Sequence, residues 1–170
     1  YLLYVHIADV SHYVKENSAL DQEAYLRGNS IYVCDRVVPM LPFDLSNGIC
    51  SLNPNVDRLT ITCAMQVDER GNLLTYNVFP SVIHSDKRCT YKKVNACLAA
   101  DETILEEYSE VKDLLFTLES LAKLLKKQSH NRGCIDFNTK EAKIIMDKNG
   151  YPVDVTVLER GFAEQMIEEC

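Results

Sequence analysis

The sequence predicts a mixed α/β (α+β) fold with a largely antiparallel sheet core, on three observations. Two pairs of β-rich runs flank turn signals, Asp68-Glu69-Arg70-Gly71-Asn72 and Lys148-Asn149-Gly150, and hairpins of this kind pair antiparallel strands. One stretch places Ile104, Leu105, Tyr108, Val111, Leu114, Leu115, Leu118, Leu121, Ala122 and Leu125 at spacings of three and four. That periodicity predicts one long amphipathic helix over about 103–129. The 170 residues are 46% hydrophobic and 25% charged, which suits one folded domain and excludes a disordered chain.

The chain opens on Tyr1-Leu2-Leu3-Tyr4-Val5-His6-Ile7, aromatic and β-branched enough to be a strand from its first residues. Ser18 can cap a helix over about 19–28, which Gly28 ends. Ile31 to Val38 is strand-like, and Pro39-Met40-Leu41-Pro42 ends it. Asp44 or Ser46 can start a short helix before the turn Asn53-Pro54-Asn55. Leu59 to Val67 and Leu73 to Ile83 form the first hairpin, and Tyr91 to Leu98 a short helix. The long helix is acidic early (Glu106, Glu107, Glu110) and basic late (Lys123, Lys126, Lys127), the order that its dipole favours on a solvated face. Ala142 to Met146 and Val153 to Leu158 form the second hairpin, and a final amphipathic helix starts near Arg160. Both termini fall inside elements, so the chain is expected to be a piece of a longer protein.

Several function classes drop out. No apolar run approaches the ~18–20 residues that span a bilayer, and the first residues lack a basic region and cleavage site, so neither a membrane segment nor a signal peptide is expected. Seven scattered cysteines without a CxxC pair point to a reduced, cytoplasmic protein with mostly buried thiols, and to no zinc site. The net charge of −7 argues, alone, against a sequence-independent nucleic-acid binder.

The generic catalytic patterns are weak. Neither GxxxxGK[ST] nor GxSxG occurs. His6, Asp9, Ser11 and His12 cluster in sequence, but His6 and Asp9 diverge on an extended strand, which disfavours a triad. Asp9 either caps the following turn or lies near a site. Glu164 and Glu168 share a helix face, which is either solvated or able to take a metal or a hydroxyl. Tyr32 and Phe137 read equally as core aromatics at the edges of apolar segments.

Longer stretches carry more. Val5-His6-Ile7-Ala8-Asp9-Val10-Ser11-His12-Tyr13-Val14 resembles the HIADVSxYV segment of the RNB catalytic domain, found in ribonuclease II, ribonuclease R and a related eukaryotic exosome subunit. The likeness continues through Tyr25 to Tyr32, Val38 to Pro42 and Leu45 to Arg58. It returns at Arg132-Gly133-Cys134-Ile135-Asp136-Phe137 and runs from Glu159 to Glu169, with 97–130 the least diagnostic region. The last two segments look most like bacterial ribonuclease R.

The resemblance implies the central part of an RNB catalytic domain, residues 1–170, truncated at both ends. It implies a processive 3′→5′ exoribonuclease that hydrolyses single-stranded RNA to nucleoside 5′-monophosphates, with divalent metal, Mg2+, activating a water. The family's aspartate cluster, DxxxxxDxDD, lies upstream of the position of Tyr1, and its catalytic arginine lies downstream. The fragment is therefore expected to hold no metal site and no catalytic residue, and to be inactive alone. Three residues match RNA contacts of the family. Tyr32 and Phe137 match aromatics that stack on bases near the 3′ end, a sequence-tolerant contact. Glu168 matches a glutamate that contacts the terminal nucleotide, and a carboxylate accepting a 2′-hydroxyl helps tell RNA from DNA. Flanking cold-shock and S1-type barrels in the parent chain would supply RNA-binding surface that this acidic piece lacks. Lys87, Arg88, Lys92 and Lys93 form a basic cluster that either meets phosphates or lies solvated. The alternative is a non-catalytic RNB homologue acting as an RNA-binding or protein-interaction module.

Overall fold

A computed structural model describes residues 1–34, 36–135, 141–158 and 160–170. Strand β1 (Leu2–Ala8) leads into a short helix, α1 (Val10–Tyr13), and then α2 (Ala19–Arg27). Ser18 Oγ accepts from the Asp21 N–H at 3.2 Å to cap α2, and Gly28 ends it at φ 74°. This is the start and stop that the sequence predicts.

The expected strand over Ile31 to Val38 is instead a hairpin of β2 (Ile31–Val33) and β3 (Arg36–Val38). Its register, Ile31↔Val38 to Val33↔Arg36, leaves only two positions between the strands. The run is β-rich both before Cys34 and after Arg36, so its composition does not reveal where one strand ends and the next begins. Asp44–Ile49 then forms a π-helical turn where a short helix was expected.

The main sheet has the order β1, β4 (Asp57–Val67), β5 (Leu73–His84), antiparallel throughout. Asp68 builds the β4–β5 turn by accepting the N–H groups of Arg70 and Asn72, each at 2.8 Å. Gly71 meets the following helical layer there. It sits at φ 81°, and a Cβ would lie 2.9 Å from the Leu124 carbonyl oxygen, so both conformation and space require glycine.

The helical layer holds α3 (Tyr91–Leu98), α4 (Glu102–Glu107), α5 (Lys112–Asn131) and α6 (Phe162–Glu169). The long helix expected over 103–129 is broken between α4 and α5. Tyr108, 1% exposed, ends α4 and turns into the core with Val94, Cys97, Leu115 and Ala163. Ile104, Leu105 and Val111 pack on the same cluster, so the apolar spacing persists across the break. Periodicity reports which side faces the core, not whether the helix is continuous.

The second hairpin pairs β6 (Ala142–Met146) with β7 (Pro152–Val157), with both strands largely exposed. The thiols depart from expectation: all seven are free, but only Cys97 is buried, and Cys34, Cys89 and Cys134 are exposed. These three sit in loops between elements, where no layer covers them. Among the described residues, no helix is long and apolar enough to cross a membrane.

Candidate nucleic-acid interface

Tyr32 stands at the centre of β2, opposite Val37, and is 79% exposed. Among the described residues the ring therefore belongs to no core. The hairpin is tied to α2 through the loop that follows it. The Met40 N–H donates to Ser30 Oγ at 2.9 Å, and Arg27 Nη1 donates to the Pro39 carbonyl at 3.1 Å. Arg27 is itself held by Glu23 at 2.8 Å. A small strand pair anchored on one side thus presents a flat ring to solvent, the geometry that base stacking needs.

Glu168 lies in the last turn of α6 and pairs with Arg160, just before that helix. Both side chains are about half exposed. They border a cleft of about 540 Å3 together with Tyr91, Glu141, Leu158, Glu164 and Ile167. An apolar pocket of about 480 Å3 shares Tyr91 and Ile167 with it and runs between α3, α5 and α6. The cleft therefore combines an aromatic ring, a guanidinium and carboxylates, groups able to stack, meet a phosphate and accept ribose hydroxyls.

Glu164, on the same helix face, does not lie solvated. Its Oε2 accepts from the Gly161 N–H and from Asn95 Nδ2, each at 3.0 Å. Burial pushes its carboxyl up, but Asn95, the backbone N–H groups and Arg160 outweigh burial and hold it below the usual glutamate range. Tyr91 and Asn95 carried no functional signal in the sequence. Both sit in a short helix whose pattern reads as packing alone.

Asp9 caps α1, accepting from Ser11 Oγ at 2.6 Å and from the His12 N–H at 3.0 Å. The Ser11 hydroxyl, chiefly, lowers its carboxyl. His6 turns away to Thr62 Oγ1 at 2.7 Å, so no triad forms. The basic cluster is partly neutralised. Lys93 is paired with Glu107 at 2.6 Å, and Lys87 lies over the Tyr108 ring and donates to the Glu107 carbonyl.

The structure does not join the expected RNA contacts into one site. No hydrogen bond, ion pair or ring contact links Tyr32 to Glu168 among the described residues. Phe137 lies outside the described residues. Magnesium requires several oxygen ligands in octahedral array. Among the described residues no group of three or more His, Cys, Asp or Glu is placed to hold a metal.

A three-stranded antiparallel sheet, a small exposed hairpin and a helical layer bearing a cleft define a mixed α/β domain. The family model of the RNB domain matches residues 1–170, and the chain belongs to that family. It is 52% identical over 170 residues to ribonuclease R of Thermotoga maritima, covering 99% of this chain and 24% of that protein. It is 51% identical over 168 residues to ribonuclease R 1 of Lactococcus lactis, covering 99% of this chain and 21% of that one. Its structure matches that of Mycoplasma genitalium RNase R in complex with double-stranded RNA, with TM-score 0.89 and 38% identity over 99% of this chain and 30% of the other. The chain thus spans about a fifth to a quarter of the length of the curated relatives that it matches.

Proposed function

We propose that this chain is the central part of the catalytic domain of a ribonuclease R-type enzyme, which degrades single-stranded RNA processively from its 3′ end to nucleoside 5′-monophosphates. The observation that carries this reading is the match of the whole chain, in sequence and in fold, to ribonuclease R relatives. In it, Tyr32 and Phe137 stack on bases near the 3′ end, and Glu168 meets the terminal nucleotide. Sequence-tolerant stacking suits an enzyme indifferent to base identity. The hydrolytic step belongs to aspartates that hold Mg2+ upstream of this chain, and to an arginine downstream of it. The 170-residue chain alone is therefore inert. Cold-shock and S1-type domains of the parent protein add RNA-binding surface. Seven free thiols suit a reducing cytoplasm.

The test compares the intact protein with the isolated chain on a uniformly labelled single-stranded RNA in magnesium. The intact protein is expected to release mononucleotides, and the isolated chain none. Magnesium-dependent release by the isolated chain would overturn its inertness. RNA binding without cleavage by the intact protein would replace the enzyme reading with that of a non-catalytic RNA-binding homologue. No RNA binding at all would leave a protein-interaction module.

A further inference from the structure

We propose that Asn95 is a positioning residue, which fixes the first turn of α6 and thereby the place of Glu168 in the cleft. The proposal rests on the reading of Glu168 as a contact to the terminal nucleotide. Asparagine is a poor residue for a helix interior, because its amide competes for backbone hydrogen bonds. In α3 that amide is used by another helix. Its Oδ1 accepts from the Ala163 N–H at 2.8 Å, and its Nδ2 donates to Glu164 Oε2 at 3.0 Å. Rotating the amide by 180° would set donor against donor and oxygen against carboxylate, so the partners fix its orientation.

The first turn of any helix leaves N–H groups without intrahelical partners. α6 starts at Gly161, which has no side chain with which to cap it. Asn95 supplies the missing acceptor across the interface, and Glu164 closes the turn by accepting from Gly161. Gly161 is matched to this arrangement. Its φ of −98° suits any residue, yet a Cβ there would collide with the Asn95 amide. Asn95 lies one helical turn after Tyr91, which lines the cleft, and Glu164 one turn before Glu168. Asn95, Gly161 and Glu164 thus set both the axial position and the rotation of the helix that carries Glu168.

The test uses the intact protein and two RNA strands, one all-ribose and one with a single 2′-deoxy nucleotide at its 3′ end. The readout is the ratio of kcat/KM between them, which a loss of general stability does not move. Asn95→Asp sets a carboxylate against Glu164 and should lower the ratio by about 10- to 100-fold, since misplacement by an ångström can cost about 100-fold. Where Asn95→Asp does not fold, Asn95→Ala removes both bonds without adding charge, and it too should lower the ratio. Glu168→Ala tests the underlying reading. If Glu168→Ala lowers the ratio and the Asn95 variants leave it unchanged, the positioning role is overturned and the nucleotide contact stands. A ratio unmoved by Glu168→Ala overturns both.

Discussion

Replacing Tyr32 by alanine in the intact protein separates stacking from folding. The ring is 79% exposed and its cross-strand neighbour is Val37, so the fold loses little when it goes. A surface substitution of this kind costs about 0.5 kcal/mol or less. Stacking on a base contributes roughly 1–3 kcal/mol, which converts to an affinity for the RNA end roughly 5- to 150-fold weaker. A long strand retains its other contacts and is still degraded. A short strand depends on the few contacts left, so it escapes earlier and the final product lengthens. Turnover on long RNA should stay close to that of the parent, because the ring touches no reacting atom. Tyr32→Phe keeps the π face and should keep the product length. The assay is a denaturing gel of a 5′-labelled single-stranded RNA digested to completion. An unchanged product ladder for Tyr32→Ala would refute the stacking role.

Three further outcomes follow from the packing. Gly71→Ala should cost about 1–2 kcal/mol for the left-handed conformation and about 1–3 kcal/mol more for the contact with Leu124. Faster hydrogen exchange at Val67 and along α5 would register that cost, and unchanged exchange would sink it. A carboxyl held low adds stability above its unfolded value and loses it as pH falls through its folded value. Protonation of Glu164 should therefore loosen α6 only at pH values below the usual glutamate range, read by exchange at Ala163, and loosening near neutrality would contradict it. The isolated chain should self-associate through the open faces of β5 (Leu73, Tyr76, Val78, Val82) and β7 (Val153, Val155, Val157), and a monomeric mass by light scattering would refute this.

Local chemistry was the most legible layer of the sequence. Ser18 and Gly28 fall where capping rules put them, because each is set by a few adjacent residues. The two hairpins of β4–β5 and β6–β7 were legible for the same reason: Asp68 and Asp147 build their turns from N–H groups within four residues. What failed depended on contacts distant in sequence. Tyr108 breaks the long helix because the core formed by Val94, Cys97 and Ala163 captures its ring, and periodicity is blind to that. The site divides likewise. Tyr32 and Glu168 are candidates that only the resemblance supplied, whereas the role proposed for Asn95 depends on bonds to residues 68 and 69 positions away. No pattern within α3 announces it.

A net charge of −7 on a chain proposed to hold RNA is reconciled by where its cations stand. Arg27, Lys93, Lys123 and Arg160 are each paired with a glutamate. Arg58 donates to the carbonyls of Ser51, Asp57 and Gly48 and braces the loop before β4. These side chains stabilise the fold and are not arrayed along a phosphate track. On the proposed reading, Tyr32 and Glu168 meet RNA by stacking and by accepting a hydroxyl, and neither contact displaces counterions. Binding through phosphates weakens with salt, with a slope of about −0.7 per contact for single strands, and stacking adds nothing to that slope. Tyr32→Ala should therefore lower RNA affinity by the same factor at every salt concentration, seen as parallel lines of log K against log salt. Converging lines would mean that the ring orders phosphate contacts, and that the hairpin belongs to the electrostatic track after all.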